Sequence, residues 1–236
     1  MIHMKTYFHV SISLLTCLLI CGCQNKKEIP TPLTADQAAD IEDSRIPGWH
    51  GYNSDHIGEA WQYEDGVISF DKEKGKGGDI VTDQEYEDFD FSIEWKISEC
   101  GNSGIFWNIV ESPDYPFPWL TGPEMQVLDN TCHPDAKIQT HRAGDLYDMI
   151  ETSKVTVKPA GEWNLAQIRS KDSHVTFSLN GEEVVSFTMH DTNWDEMVAE
   201  SKFKEMPAFG KAKKGRIGLQ DHGDKVWFRN ISIKEI

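Results

Sequence analysis

The stretch Phe89-Asp90-Phe91-Ser92-Ile93-Glu94-Trp95-Lys96-Ile97 decides the fold. Apolar and polar side chains alternate along it without a break. A period of two belongs to a strand, because successive side chains leave a strand on opposite faces. Phe89, Phe91, Ile93, Trp95 and Ile97 are therefore predicted to face a core, with the four polar residues turned to water. One apolar and one polar face is the pattern of an antiparallel sheet.

Working outward, the same short-strand rhythm recurs. A strand over 66–70 follows an Asp-Gly turn, and another covers 79–81. Residues 103–108 and 146–150 also read as strands. Residues 163–169, 175–179 and 184–188 read as a meander, with Asn180-Gly181 a two-residue hairpin signal. Residues 216–220 and 226–236 close the sheet around an Asp221-His222-Gly223-Asp224 turn. One helix is predicted over 193–203, with Asn193 as cap and Glu196 three residues on. Many strands, tight turns and one short helix define an all-β, two-sheet antiparallel sandwich or jelly roll. Lys74-Gly75-Lys76-Gly77-Gly78 is a loop without phosphate-loop spacing, and Lys211-Ala212-Lys213-Lys214 reads as a solvated basic turn.

The chain has 236 residues, a formal net charge of −16 and eight Trp. So acidic a surface is a poor holder of phosphates, which argues against nucleic acid as a partner. Near the start, Lys5 precedes an apolar run over 10–20 that is too short to stay as a membrane span. It ends in Ile20-Cys21-Gly22-Cys23, which resembles a bacterial lipobox with cleavage after Gly22. Residues 1–22 are thus expected to be a lipoprotein signal peptide, with Cys23 lipidated. Residues 23–45, polar with Pro30 and Pro32, are expected to be a tether, with a short helix over 34–41. Residues 46–236 are expected to be the folded domain, held in the bacterial cell envelope by its lipid anchor alone. Cys100 and Cys132 are then either a disulfide of an oxidising compartment or two buried thiols.

Residues 102–147 concentrate the chemistry. Glu124-Met125-Gln126-Val127-Leu128-Asp129 reads as a strand with its exit. Glu124 and Gln126 share one face, and Met125 and Val127 point into the core. Asn102, Asp129, His133, His141, Arg142, Asp145 and Tyr147 stand close by in sequence. Asp129, His133, Asp135 and His141 could supply oxygen and nitrogen ligands, but their spacing fits no standard metal motif. No metal or other cofactor is predicted. Asp129 reads equally well as the cap of its own turn, and Asp145 as a turn residue.

Several motifs in order carry a resemblance. They are Gly66 in an Asp-Gly-Val turn, Gly78-Asp79-Ile80-Val81-Thr82, Asn102-Ser103-Gly104-Ile105 and Pro123-Glu124-Met125-Gln126-Val127-Leu128-Asp129. Gly144-Asp145-Leu146-Tyr147, Pro159 to Asn164, Asn180-Gly181, Gly218 to Gly223 and Phe228-Arg229-Asn230-Ile231 follow. From Gly48 to Ile236 the chain resembles the 3-keto-disaccharide hydrolase family, on the concanavalin A-like lectin/glucanase fold. It departs from the family where Phe106-Trp107-Asn108 follows Asn-Ser-Gly-Ile, a place where a strand with an arginine is expected. The resemblance implies an exported enzyme acting on 3-keto glycosides, with a small carbohydrate as partner.

Retaining glucanases on a similar fold set two carboxylates about 5–5.5 Å apart. Here the neighbour on Glu124's face is an amide, Gln126. A 3-keto sugar offers another route, because its ketone acidifies the hydrogen on C2. A base takes that proton and the C1 substituent leaves. Water then adds. Such a path needs a base, a donor to the developing enolate oxygen and an acid for the leaving oxygen. Glu124, His141 and His222 are the catalytic candidates. Glu124 suits the base if burial raises its pKa, and imidazoles titrate near neutrality. Arg142 suits the enolate oxygen, and Asn102, Gln126, Asp129, Asp145 and Tyr147 suit substrate hydroxyls. The competing readings are a glycan-binding lipoprotein without catalysis and a conventional glycoside hydrolase.

Overall fold

A computed structural model describes residues 46–236. The expected signal peptide, Cys23, the tether and the helix over 34–41 fall outside those residues. The chain builds two antiparallel sheets. The five-stranded sheet runs β1 (Trp49–Gly51), β4 (Ile80–Thr82), β11 (Arg216–Leu219), β6 (Asn102–Ile109) and β7 (Glu124–Leu128). The seven-stranded sheet runs β10 (Glu182–Thr188), β9 (His174–Leu179), β8 (Asn164–Lys171), β5 (Phe89–Ile97), β12 (Val226–Glu235), β3 (Val67–Phe70) and β2 (Trp61–Glu64).

The alternating strand β5 lies at the middle of the larger sheet, between β8 and β12. Its five apolar side chains are buried and its four polar ones are half-exposed. They meet Ile105 and Trp107 of β6 and Met125 and Val127 of β7 in one core between the sheets. Both predicted tight turns form, with positive φ at Asp65-Gly66 (50° and 80°) and at Asn180-Gly181 (54° and 86°). Positive φ at both central residues gives the twist that antiparallel neighbours need.

Three details differ from the sequence reading. Residues 146–150 are not a strand; Leu146 makes only isolated bridges, to Met125 and Ile150. Helix α1 spans Thr192–Glu200 and is capped by Asp191, whose carboxylate accepts from Trp194 N at 2.7 Å. Asp191 wins over Asn193 because a capping side chain reaches the N–H two or three residues ahead. Strands β1 and β2 were not predicted, being too short to show an alternation.

From α1 a stack of aromatic rings descends into the core. Phe203 lies on Phe209 (3.9 Å between centroids, 5° between planes), Phe209 on Trp194 and Trp194 on Phe187. Phe187 meets Phe177 and Trp107.

Cys100 and Cys132 form a disulfide, with Cα atoms 4.7 Å apart and a sequence separation of 32. It ties the turn between β5 and β6 to the loop after β7. Closing a loop of that length restrains the unfolded chain, so replacing both cysteines with serine is expected to cost about 2–4 kcal/mol. Denaturant unfolding of the double variant checks this. A loss below about 1 kcal/mol would mean that the bond restrains nothing the fold does not already hold.

Candidate active site

Strands β6 and β7 are buried on both faces. Their inner residues join the core, and their outer residues floor a cleft of about 360 Å³. That volume lies within the usual range for small-molecule sites. Glu124 and Gln126 of β7 and Asn102 of β6 form the floor. Gln220 and His222 come from the end of β11 and the turn after it, and Tyr147 from the loop beside β7. Trp119 and the segment Lys202, Phe203 and Met206 form the remaining wall.

Backbone pairing places Tyr147. The segment 144–147 runs along the free edge of β7. Gly144 N donates to Gln126 O, Gln126 N to Asp145 O and Tyr147 N to Glu124 O, at 2.8–3.0 Å. Asp145 is wholly buried and fixes this segment, accepting from Arg142 N (2.6 Å) and Thr152 N (2.7 Å). Burial raises its pKa, against the pull of those bonds.

Glu124 sits 7% exposed at the floor. Its carboxylate lies against Gly104 of the paired strand; a Cβ added at Gly104 would stand 2.1 Å from Glu124 Oε1. Desolvation raises the Glu124 pKa to about 8; Lys202 pulls it down, and Asp79 and Asp135 push it further up. Glu124 is the only carboxylate among the described residues lining the cleft. Burial lowers the Lys202 pKa, opposed first by Glu124. Its ammonium stands 3.9 Å from the centre of the Tyr147 ring. The Tyr147 hydroxyl donates to Asp135 Oδ2 at 3.4 Å, and burial raises its pKa.

Two acceptors of the cleft lining, Asn102 Oδ1 and Gln220 Oε1, are buried without a hydrogen-bond partner among the described residues. A buried acceptor left unpaired is costly. A ligand rich in hydroxyl donors would satisfy both.

The cleft thus gathers Asn102, Glu124, Gln126, Tyr147 and His222 from the sequence-stated candidates. The other four lie elsewhere. His141 packs behind Tyr147, ring to ring at 4.2 Å, with Nε2 at 3.0 Å from Asp148 Oδ1 and Nδ1 at 3.6 Å from Asp135 Oδ2. Asp129 accepts from Cys100 N and Thr131 N, which makes it the cap of its turn. Arg142 donates from Nε to Ala136 O at 2.9 Å, and Asp145 holds the loop. Asp129, Arg142 and Asp145 each bond to backbone outside the cleft and so support its walls. The oxygen and nitrogen donors Asp129, His133, Asp135 and His141, whose spacing fits no standard motif, do not form one ligand group among the described residues.

Sequence reasoning missed Lys202, Met206 and Asp79. Asp79 and Asp221 are tied to each other's segments through backbone donors: Asp221 N donates to Asp79 Oδ1 at 2.9 Å, and Gly78 N to Asp221 Oδ2 at 2.7 Å. Burial, with Asp221 nearby, raises the Asp79 pKa to about 7. Gly77 of the 74–78 loop has its reason here, since a Cβ there would stand 2.0 Å from Asp221 Oδ2. The basic turn at 211–214 stays outside the cleft, where Lys211 pairs with Asp195.

A lectin-type β-sandwich with a small, hydroxyl-seeking cleft and a carboxylic acid at its floor defines a glycoside hydrolase-like protein. Residues 39–234 match the model of the 3-keto-alpha-glucoside-1,2-lyase-like domain, and the chain belongs to that family. It is 37% identical over 235 residues to a 3-keto-disaccharide hydrolase of Bacteroides thetaiotaomicron, covering 86% of this chain and 80% of the relative. A Parabacteroides distasonis crystal structure, provisionally classed as a glycosyl hydrolase, superposes with a TM-score of 0.74. It is 32% identical, over 87% of this chain and 98% of that one. The carbohydrate-binding module CBM66 of Bacillus subtilis, at 12% identity and a TM-score of 0.50, shares the fold alone; the match covers 80% of this chain and 96% of the module.

Proposed function

We propose that this chain is an exported, lipid-anchored enzyme that cleaves 3-keto glycosides by removing the C2 proton and expelling the C1 substituent, with water added afterwards. The carrying observation is Glu124, a lone cleft carboxylate with its pKa near 8. A second carboxylate on the opposite side of the bond, required by ordinary retaining and inverting hydrolysis, is not among the residues lining the cleft. A single base with a pKa near the working pH suits abstraction next to a ketone. The family description names a 1,2-lyase, which is elimination across C1 and C2, and the Bacteroides relative is named for 3-keto disaccharides.

In this reading Glu124 takes the C2 proton and, once protonated, returns it to the oxygen that leaves C1, so the substituent departs as an alcohol. Lys202, a cation whose charge acts on Glu124, steadies the enolate oxygen, the part expected of Arg142. Asn102, Gln126 and Gln220 bind hydroxyls, and Trp119 offers a flat face to the sugar ring. His141 acts through Asp135 and Tyr147, holding the phenol in place. Cys23 carries the anchor, and its replacement with alanine is expected to abolish incorporation of labelled fatty acid.

The test compares 3-keto-glucosides with their unoxidised parents. The keto substrate is expected to release its aglycone, and in D2O the recovered sugar is expected to carry deuterium at C2 beyond a no-enzyme control. Comparable cleavage of the parent would overturn the reading, because without the ketone the C2 hydrogen is too weakly acidic for a carboxylate. Gly104→Ala gives a further expected result. The added methyl displaces the Glu124 carboxylate, and a misplacement of about 1 Å costs on the order of 100-fold in turnover. Unchanged kinetics would remove Glu124 from the reaction centre.

A further inference from the structure

At the rim of the cleft, His133, His222 and Asp224 place one ligating atom each within 4.8 Å of one another. We propose that these three residues bind a divalent transition-metal ion, with His222 acting as a metal ligand and not as a proton shuttle. Two imidazoles and one carboxylate form a donor set suited to zinc, manganese, cobalt or nickel. Calcium and magnesium prefer sites built from oxygen. None of the three side chains takes part in a salt bridge among the described residues. The two rings stand edge to face, 6.2 Å apart at 78°, and so are not stacked on each other.

Both segments that carry the ligands are fixed independently of any ion. His222 and Asp224 sit in the turn between β11 and β12. There Gly223 has a φ of 84° and donates to Asp221 Oδ1 at 2.8 Å. Asp224 Oδ2 accepts from Asn102 N at 3.1 Å, which docks the turn on the first residue of β6. His133 follows the disulfide-bonded Cys132, and its N–H donates to Asp129 O at 3.1 Å. The bound ion requires one change. His133 Nδ1 accepts from Asp135 N at 3.2 Å. Ligation through Nδ1 takes that lone pair, and ligation through Nε2 leaves Nδ1 protonated; either way the contact is given up.

His222 also lines the cleft. Three protein ligands leave a coordination position open. That this position faces a bound sugar rests on the reading of the cleft given above; metal binding itself does not.

The test strips the whole purified chain with a chelator and titrates it with Zn²⁺ by calorimetry, and with Co²⁺ by visible absorption. One ion per chain is expected. His222→Ala and Asp224→Asn should each weaken binding by more than the roughly 10–100-fold that loss of an outer-shell partner costs. Asparagine retains an acceptor for Asn102 N, so Asp224→Asn tests ligation without undoing the turn. Absence of one-to-one binding by the wild type overturns the proposal. So does equal binding by wild type and a folded His133→Ala/His222→Ala variant. Turnover of a 3-keto-glucoside is measured on the same stripped and loaded samples. Inactivity in both states would sink the proposed reaction and leave the metal site standing.

Discussion

Glu124→Gln is expected to lower turnover of a 3-keto glycoside by about 10²–10⁴-fold, the usual contribution of a positioned acid or base. Glutamine keeps the shape of the carboxyl against Gly104 but cannot accept a proton. The wild type is expected to gain activity as pH rises from 6 and to level off above about 8, where Glu124 becomes ionised. The sign for stability is the opposite. The folded pKa lies above the ordinary carboxyl value of 4.5. Protonation therefore favours the native state. That gain is full below about pH 4.5 and is lost as pH climbs through 8. Glutamine has no proton to lose, so the variant should gain stability relative to wild type between pH 6 and 9. A pH-rate profile and unfolding curves at the two pH values check both halves. A fully active variant would exclude Glu124 as the base.

Trp95→Ala is expected to destabilise the fold by about 3–5 kcal/mol, as for other large buried aromatics. Trp95 is 1% exposed, in the central strand β5, opposite Phe228 on one side and Asn164 on the other. Its indole N–H has no partner among the described residues. Trp95→Phe should therefore cost much less, because the donor it removes is already unpaired. A loss below about 1 kcal/mol in the alanine variant would contradict the burial of this face.

The contrast between those two residues shows what a sequence can carry. The role of Trp95 is local: alternation over β5 suffices to place it, and the same holds for Glu124 and Gln126 on β7. Paired glycine turns were equally readable, since only certain residues accept positive φ twice in a row. Lys202 was not readable. It belongs to the turn after α1 and enters the cleft only because the chain folds back there, with no neighbouring motif to mark it. Asp129, Arg142 and Asp145 misled for the complementary reason. Clustering in sequence counts polar groups but does not show that backbone N–H and C=O groups already occupy them. The His133–His222–Asp224 group joins loops 89 residues apart in sequence at its nearest pair, so no spacing rule could have assembled it.

The aromatic stack from Phe203 to Trp107 bears on the thermodynamics of ligand capture. Phe203 lines the cleft while its ring rests on Phe209, and the column continues into the space between the sheets. Gly210 makes room for it, since a Cβ there would stand 2.3 Å from the Trp194 ring. Lys202, next along the chain, has its N–H held by Asp148 Oδ2 at 2.7 Å. Immobilising a flexible side chain on binding costs about 0.5–1.5 kcal/mol. Here the backbone of that wall is already anchored through a column of rings, so an arriving sugar has little of the wall left to order, and more of its contact energy remains for affinity.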